Sequence, residues 1–195
     1  MKLCAKKSGI PSSSRELLKQ FLGSKVIALV RYSWWAKEDI AATTGVGKPE
    51  SFSLTAGPLA VQFEDGSILG VSSDPGTNSV VVWLDRFIGQ VDTTQTLNED
   101  SELFAIQAND KAHSMPYWAH FLGRTLCGFS IIKITDMNAK QASLPSERGL
   151  CFHFGAGDRF IAAHGLHDGS DDFSVIVDAQ IDAGVREHLE ELALF

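Results

Sequence analysis

The run from His164 to Phe173, HGLHDGSDDF, places two histidines and three aspartates within ten residues. Side chains of these types supply general acids and bases, and they also bind metal ions. The run lacks the helix that carries the histidines of an HExxH zinc site, and it lacks the ligand spacing of a calcium loop. We therefore predict a polar loop between two strands, in which Asp168, Asp171 and Asp172 are exposed charges that suit a basic partner. The alternative is a turn that only connects the strands.

A second group of reactive side chains lies in the hairpin RGLCFHFGAGDRFIAAH, residues 148–164. If Phe154 and Arg159 flank its turn, one face carries Cys151, His153, Phe160, Ala162 and His164. The other face, which we expect to be the core side, then carries Leu150, Phe152, Phe154 and Ile161. At about 3.4 Å per residue, His153 and His164 would be roughly 13 Å apart, too far to share one zinc ion. We therefore expect no catalytic residue, no metal and no cofactor.

The chain also contains an internal repeat. QFLGSKVIALVRYS (20–33) aligns with HFLGRTLCGFSIIK (120–133), and Ser14 aligns with Ser114, all at an offset of 100. In both copies a serine that can cap a helix precedes apolar residues at helical spacing, then a glycine, then a β-rich run. Further on, residues 57–85 and 148–178 share a plan of strand, turn, strand, polar loop and strand, with matches at an offset of 91.

This repeat predicts an α+β fold with antiparallel sheets, covering helices, and two pseudo-repeats of helix–strand–hairpin–strand. Residues 1–100 would form the first repeat with its connector, which we place near residues 86–112. Residues 101–195 would form the second repeat, ending in an amphipathic helix over residues 183–192. We expect the two repeats to pack as one globular unit.

The pair Trp34–Trp35 follows Arg31 and Tyr32 in a β-rich run. Neighbouring residues of a strand face opposite ways, so the two indoles cannot both point into one core. Tryptophan, tyrosine and arginine dominate the hot spots of protein interfaces. We therefore expect Arg31, Trp34 and Trp35 at a docking surface. A strand that is packed on both of its faces is the alternative.

Composition and charge restrict the class of function. The chain is 44% hydrophobic and 21% charged, which is typical of a globular protein. Its net charge of −7 is concentrated after residue 100, where seven Lys/Arg face 13 Asp/Glu. This argues against nucleic acid as a partner and favours a basic protein surface. The sequence has no secretory signal, no stretch near the roughly 20 apolar residues of a membrane span, and only three scattered cysteines. We expect a cytoplasmic protein with no membrane partner.

Residues 148–178 resemble bacterial immunity proteins of polymorphic-toxin systems. The resemblance rests on the Leu-x-Phe-x-Phe-x-x-Gly segment from Leu150 to Gly157 and on the Asp-Gly-x-Asp loop from Asp168 to Asp171. Residues 57–85 fit it more loosely. It implies a non-enzymatic protein that neutralises a cognate toxin by occluding the toxin's active site. The alternatives are a small-ligand-binding protein or enzyme that uses the cleft between the halves, with Cys151 or His153, and a structural subunit of an assembly.

Overall fold

Across residues 8–87 and 95–195, which a computed structural model describes, ten strands form two antiparallel five-stranded sheets. The first sheet contains β1 (Val26–Ser33), β2 (Leu59–Phe63), β3 (Ile68–Asp74), β4 (Ser79–Arg86) and β5 (Phe104–Gln107). The second sheet contains β6 (Leu126–Ile134), β7 (Glu147–Phe154), β8 (Arg159–His164), β9 (Phe173–Ile176) and β10 (Leu189–Ala193).

The α-helices of the described residues are short, with four or five residues each. They are α1 (Arg15–Lys19), α2 (Ile40–Thr44), α3 (Ser51–Leu54), α4 (Ala139–Ala142) and α5 (Ala183–Arg186). A 3-10 helix over Pro116–Phe121 takes the place in the second half that α1 has in the first. The predicted helices that begin each copy are therefore present but short.

The two sheets have the same strand order. The first runs β4-β3-β2-β1-β5, and the second, read in the matching direction, runs β9-β8-β7-β6-β10. The prediction of an α+β fold with antiparallel sheets is confirmed, and the repeated order agrees with two pseudo-repeats. Each sheet also has a fifth strand, β5 or β10, that pairs with β1 or β6 and was not predicted. β5 lies in the predicted connector, of which residues 88–94, like residues 1–7 at the amino terminus, lie outside the described residues.

The two repeats join through a reciprocal exchange of backbone hydrogen bonds at the starts of β1 and β6. The Gly23 N–H donates to the Leu126 carbonyl at 2.8 Å, and the Gly123 N–H donates to the Val26 carbonyl at 2.7 Å. Donor and acceptor thus change places between residues that are 100 apart. Two further bonds of 2.9 Å follow the same exchange. This is the pattern of a twofold axis, in which one patch meets its own copy.

The main hydrophobic core lies between the sheets and draws buried residues from both. Phe21 stacks on Phe63 with ring centroids 4.5 Å apart, and the equivalent pair of the second half, Phe121 and Phe154, lies at 5.3 Å. Phe160 packs against this second pair. Strands β1 and β6 therefore each begin beside an equivalent aromatic contact, which fixes the corner between helix and strand in both halves.

The register of the β7–β8 hairpin differs by one residue from the predicted register. His153 pairs with Arg159, because the Phe154 N–H bonds to the Asp158 carbonyl at 2.8 Å and closes the turn one residue earlier. A shift of one residue turns every side chain of the second strand to the other face. Leu150, Phe152 and Phe154 face the main core as predicted. Phe160 and Ala162 face the core with them, on the side of β8 that also carries His164, and not on the opposite face as predicted. Ile161 lies with Cys151 on the outer face.

The amphipathic helix predicted over residues 183–192 is wrong for most of its length. Helix α5 ends at Arg186, and Leu189–Ala193 pair with β6 as β10. Helix propensity is a weak preference that tertiary pairing overrides, and the edge of β6 offers a row of backbone partners to this segment.

Serine caps neither of the predicted helices. Ser14 precedes α1 without a side-chain capping bond, and the Ser114 hydroxyl donates to the Ala108 carbonyl at 2.7 Å. The glycines that follow the helices do behave as predicted. Gly23 and Gly123 have φ angles of +84° and +79°, in the left-handed region that residues other than glycine rarely occupy.

We predict that Gly23→Ala and Gly123→Ala each lower the free energy of unfolding by about 1–2 kcal/mol, the cost of a left-handed residue with a Cβ. No neighbouring atom lies within 4 Å of either added Cβ, so backbone strain alone should decide the loss. Gly155→Ala is the matched control, since its Cβ is equally free and its φ is not positive. Denaturant unfolding should show similar losses for the first two and a change within about 0.5 kcal/mol for the control. A loss at only one of the two positions would contradict an equivalent role at the junction.

Candidate functional site

The aspartate loop, residues 165–172, connects β8 to β9 as predicted, and all three of its aspartates are exposed. The Gly165 N–H bonds to the Asp172 carbonyl at 3.0 Å and closes the loop. The hydroxyl and N–H groups of Ser170 hold the pKa of Asp168 below its usual range. Asp171 has a side chain that is 77% exposed. Within the described ranges no lysine or arginine forms an ion pair with these three carboxylates.

His164 lies beneath this loop at the inner end of β8, away from Cys151 and His153. Its side chain has no exposed surface, and neither ring nitrogen has a hydrogen-bond partner among the described residues. Burial lowers the pKa of His164, and Arg148 lowers it further, while Asp171, with Oδ1 3.8 Å from Nε2, acts in the opposite direction. The imidazole is therefore neutral near pH 7.

A cleft of about 250 Å³ opens beside the aspartate loop, where the two halves meet. Arg148 lines it and is almost fully buried. Its guanidinium donates to the His164 carbonyl at 2.6 Å and to the Asn78 Oδ1 atom, which belongs to the first half. Asp136 and Asp171 also line the cleft. The cleft is therefore lined by one buried positive charge and by exposed carboxylates.

Trp34 and Trp35 do not lie on a strand, contrary to the prediction. Strand β1 ends at Ser33, and both indoles occupy the bend that follows it, half-buried. Trp35 packs against the main core. The two side chains are separated by the bend and not by strand alternation. Trp34, unlike Trp35, does not pack against the main core.

The prediction that Arg31 contacts a partner needs correction, because the Arg31 side chain has no exposed surface. Its guanidinium donates to backbone carbonyls of both halves: those of Phe52 at 3.0 Å, Thr55, Gly57 at 2.5 Å and Phe173 at 3.2 Å. Burial lowers the pKa of Arg31 to about 9, so the group stays charged near pH 7. Arg31 therefore holds the structure together from inside.

The bond from Arg31 to Phe173 links the strand that precedes Trp34 to the residue that follows the aspartate loop. Trp34 follows Arg31 by three residues, and Asp172 directly precedes Phe173. Three residues span at most about 11 Å. Trp34 therefore lies within about 11 Å of Arg31 along the chain, and Asp172 is next to the residue that Arg31 bonds.

A further polar group lies on the outer face of the second sheet. We name it the outer-face cluster: Ser130 of β6, Cys151 and His153 of β7, and Glu191 of β10. Because β6 lies between β7 and β10, the side chains of His153 and Glu191 reach towards each other over the small Ser130. The Ser130 Oγ atom is 2.7 Å from His153 Nε2 and donates to Glu191 Oε1 at 2.5 Å. The Nε2 and Oε1 atoms are 3.6 Å apart.

Arg159 orients the carboxylate of this cluster. Its Nη1 atom donates to both oxygens of Glu191, at 2.8 and 2.7 Å, and its Nε atom donates to Asp178 at 2.8 Å. Burial opposes ionisation of Glu191, but the bonds from Ser130 and Arg159 outweigh it and lower the pKa of Glu191. The carboxylate is therefore ionised and fixed in direction.

Cys151 and His153, the other two titratable residues of the cluster, are held in their neutral forms. Burial lowers the pKa of His153 and raises the pKa of the Cys151 thiol to about 12. One possible ligand atom from each of Cys151, His153 and Glu191 lies within 4.8 Å of the other two. These three residues could hold a metal ion together.

The sequence pointed to Cys151 and His153 but missed Ser130 and Glu191. Ser130 belongs to no motif, and Glu191 was assigned to a helix. The run Leu189–Ala193 does not alternate strictly between apolar and polar residues, so periodicity gives no signal that places Glu191 on a strand face.

We predict that the protein loses stability as the pH falls below about 6.5, because His164 is buried in its neutral form. The unfolded chain binds a proton at the ordinary histidine pKa of 6.5, whereas the folded pKa is lower. The contribution is therefore complete above pH 6.5 and is lost towards the folded pKa, by at most about 1.4 kcal/mol per pH unit. Thermal unfolding between about pH 7.5 and pH 5.5 should show a smaller fall for His164→Leu than for the unchanged protein. His120→Gln, at an exposed histidine, is the control, and an equal fall in all three proteins would contradict the prediction.

Comparison of this chain with protein families, with curated proteins and with solved structures finds no match. Among the described residues no helix has both the length and the apolar composition that crossing a membrane requires. A fold alone does not define a function.

Proposed function

We propose that this chain is a non-enzymatic, cytoplasmic binding protein whose partner is a protein with a basic surface. The partner that fits the resemblance of residues 148–178 is a cognate toxin, which the chain neutralises by occluding the toxin's active site. Neither nucleic acid nor a membrane takes part in this function.

The aspartate loop is the observation that carries this proposal. Asp168, Asp171 and Asp172 are exposed, and their charges are not balanced by an ion pair with lysine or arginine in the described part of the chain. The loop's own backbone and serine bonds fix it before any partner arrives. A preorganised, unbalanced set of negative charges speeds encounter with a basic surface and selects for it.

Two further features belong to the proposed docking surface. Asp136 and Asp171 line the cleft beside the loop and are exposed, whereas Arg148, which also lines it, is almost fully buried, so a basic side chain at the cleft meets two exposed carboxylates first. In this proposal Trp34, which is half-buried, supplies an anchor residue of the interface.

We predict that Asp171→Lys/Asp172→Lys weakens binding of the toxin partner. The candidate partner is the product of the gene adjacent to that of this chain, co-expressed and tested for co-purification and for rescue of growth. Reversing two charges replaces attraction by repulsion, so affinity should fall at least about tenfold, with slower association. Binding by the unchanged protein should also weaken as the salt concentration rises.

Glu16→Lys/Glu102→Lys is the matched control, because it changes the net charge equally at exposed carboxylates far from the loop in sequence. It should retain rescue. If both double variants weaken binding equally, net charge and not the loop is responsible. Failure of the unchanged protein to bind the adjacent gene product or to rescue growth would overturn the proposed function.

A further inference from the structure

We propose that the outer-face cluster is a binding site for a divalent transition-metal ion of the zinc type, with Cys151, His153 and Glu191 as its protein ligands. The cluster lies on a different surface of the molecule from the aspartate loop, since the two line separate clefts.

The geometry suits a small tetrahedral ion. The three candidate ligand atoms lie within 4.8 Å of one another, and His153 Nε2 and Glu191 Oε1 are 3.6 Å apart. Two ligands at about 2.1 Å from a tetrahedral zinc ion are separated by about 3.4 Å. Only a small closing movement is therefore needed to bring this pair to bonding distance.

The donor types select the class of metal. Thiolate, imidazole and carboxylate together are typical ligands of zinc and related transition metals, whereas calcium and magnesium take oxygen ligands. Binding replaces the thiol proton of Cys151, which passes to the solvent as the sulfur–metal bond forms. The ionised Glu191 and the thiolate then balance the two positive charges of the ion.

Two neighbouring residues have defined tasks in this site. Ser130, whose hydroxyl bridges His153 and Glu191, must turn aside or coordinate when an ion enters. Arg159 holds both oxygens of Glu191 and thereby orients this ligand, as outer partners of metal ligands commonly do.

The first sheet shows what the same scaffold carries when no such site is present. Strand order and pairing register assign an equivalent to each position of the second sheet, since Val30 pairs with Ala60 as Ser130 pairs with Cys151. The equivalents of Ser130, Cys151, His153, Arg159 and Glu191 are, in order, Val30, Ala60, Gln62, Ile68 and Ala105.

The first-sheet set is largely apolar. Val30, Ala60 and Ile68 are buried in a small cluster with Trp83 and Leu97. The fold therefore does not need polar side chains at these positions, and burying them costs free energy unless they are well paired. The second sheet has four titratable groups at positions where the first sheet has one amide and three apolar residues. A task that the first sheet does not perform explains this difference best.

The cluster also opens to solvent on one side. His153 and Glu191 line a cleft of about 390 Å³ together with Phe129 and Phe195. Three protein ligands leave at least one position of a four-coordinate ion for water or a small ligand from this cleft.

The test is titration of the full chain, purified without a histidine tag and treated with a chelator, with Zn²⁺ and with Co²⁺ as a spectroscopic probe. We predict one ion per chain, a thiolate-to-cobalt charge-transfer band, and a rise in melting temperature with Zn²⁺. Cys151→Ser and His153→Gln should each weaken binding more than about 100-fold, and Arg159→Gln by about 10–100-fold.

Cys4→Ser/Cys127→Ser is the control, because it removes the other two thiols, including that of Cys127, which lines the same cleft, and leaves Cys151. It should keep the band, the stoichiometry and the Zn²⁺-induced rise in melting temperature. Loss of the band in this control, or unchanged binding in Cys151→Ser, would overturn the assignment. Absence of stoichiometric binding by the unchanged chain would show that the cluster is only a hydrogen-bond network. Each variant's melting temperature without metal separates a lost site from a failure to fold, and none of these outcomes depends on toxin binding.

Discussion

The reciprocal hydrogen bonds between the starts of β1 and β6 are the constraint on which this structure depends. Each half supplies donors to the other half, so the start of each strand is hydrogen-bonded to the segment that precedes its counterpart. Both donors, Gly23 and Gly123, sit in the left-handed conformation that turns their N–H groups towards the opposite strand. The exchange fixes how the two sheets face each other, and the aromatic core between them fills the space that this arrangement leaves. A duplicated chain therefore behaves like a twofold dimer whose subunits are joined by a connector.

Two buried arginines tie the halves together where the symmetry ends. Arg31 of the first half reaches the Phe173 carbonyl of the second, and Arg148 of the second half reaches Asn78 of the first. They do not occupy equivalent positions, since the counterpart of Arg31 in β6 is Ile131. In the described residues neither guanidinium pairs with a carboxylate, so carbonyl and amide oxygens must satisfy it, and removal of these acceptors would leave a buried charge uncompensated. The bonds of Arg148 to the His164 carbonyl and of Arg31 to the Phe173 carbonyl hold the two residues that flank the aspartate loop.

The sequence predicts those features that require particular residue types at fixed positions. The motif Phe-Leu-Gly occurs twice because a helix–strand corner needs an aromatic contact and a left-handed residue, and this repetition gave the pseudo-repeat and the sheets. The β7–β8 register was not readable, because one bond from Phe154 to Asp158 decides it and no residue type announces that bond. Strand β10 was missed because its residues also suit a helix, and only the open edge of β6 decides between the two. Glu191 lies on that strand, so this one member of the outer-face cluster could not be placed from the sequence, and Ser130 was missed because it belongs to no motif.

The aspartate loop and the outer-face cluster can act independently, because the second sheet keeps them apart. His164, beneath the loop, lies on the inner side of β8, and it is five residues from Arg159, the partner of His153, which places the two sites roughly 17 Å apart along the strand. His153 faces outwards, with the packed sheet between it and His164. Sites at such a separation with no shared partner usually respond additively to substitution. The second repeat therefore bears a charged loop at one end and a ligand set on its outer face, while the first repeat supplies the scaffold against which both are held.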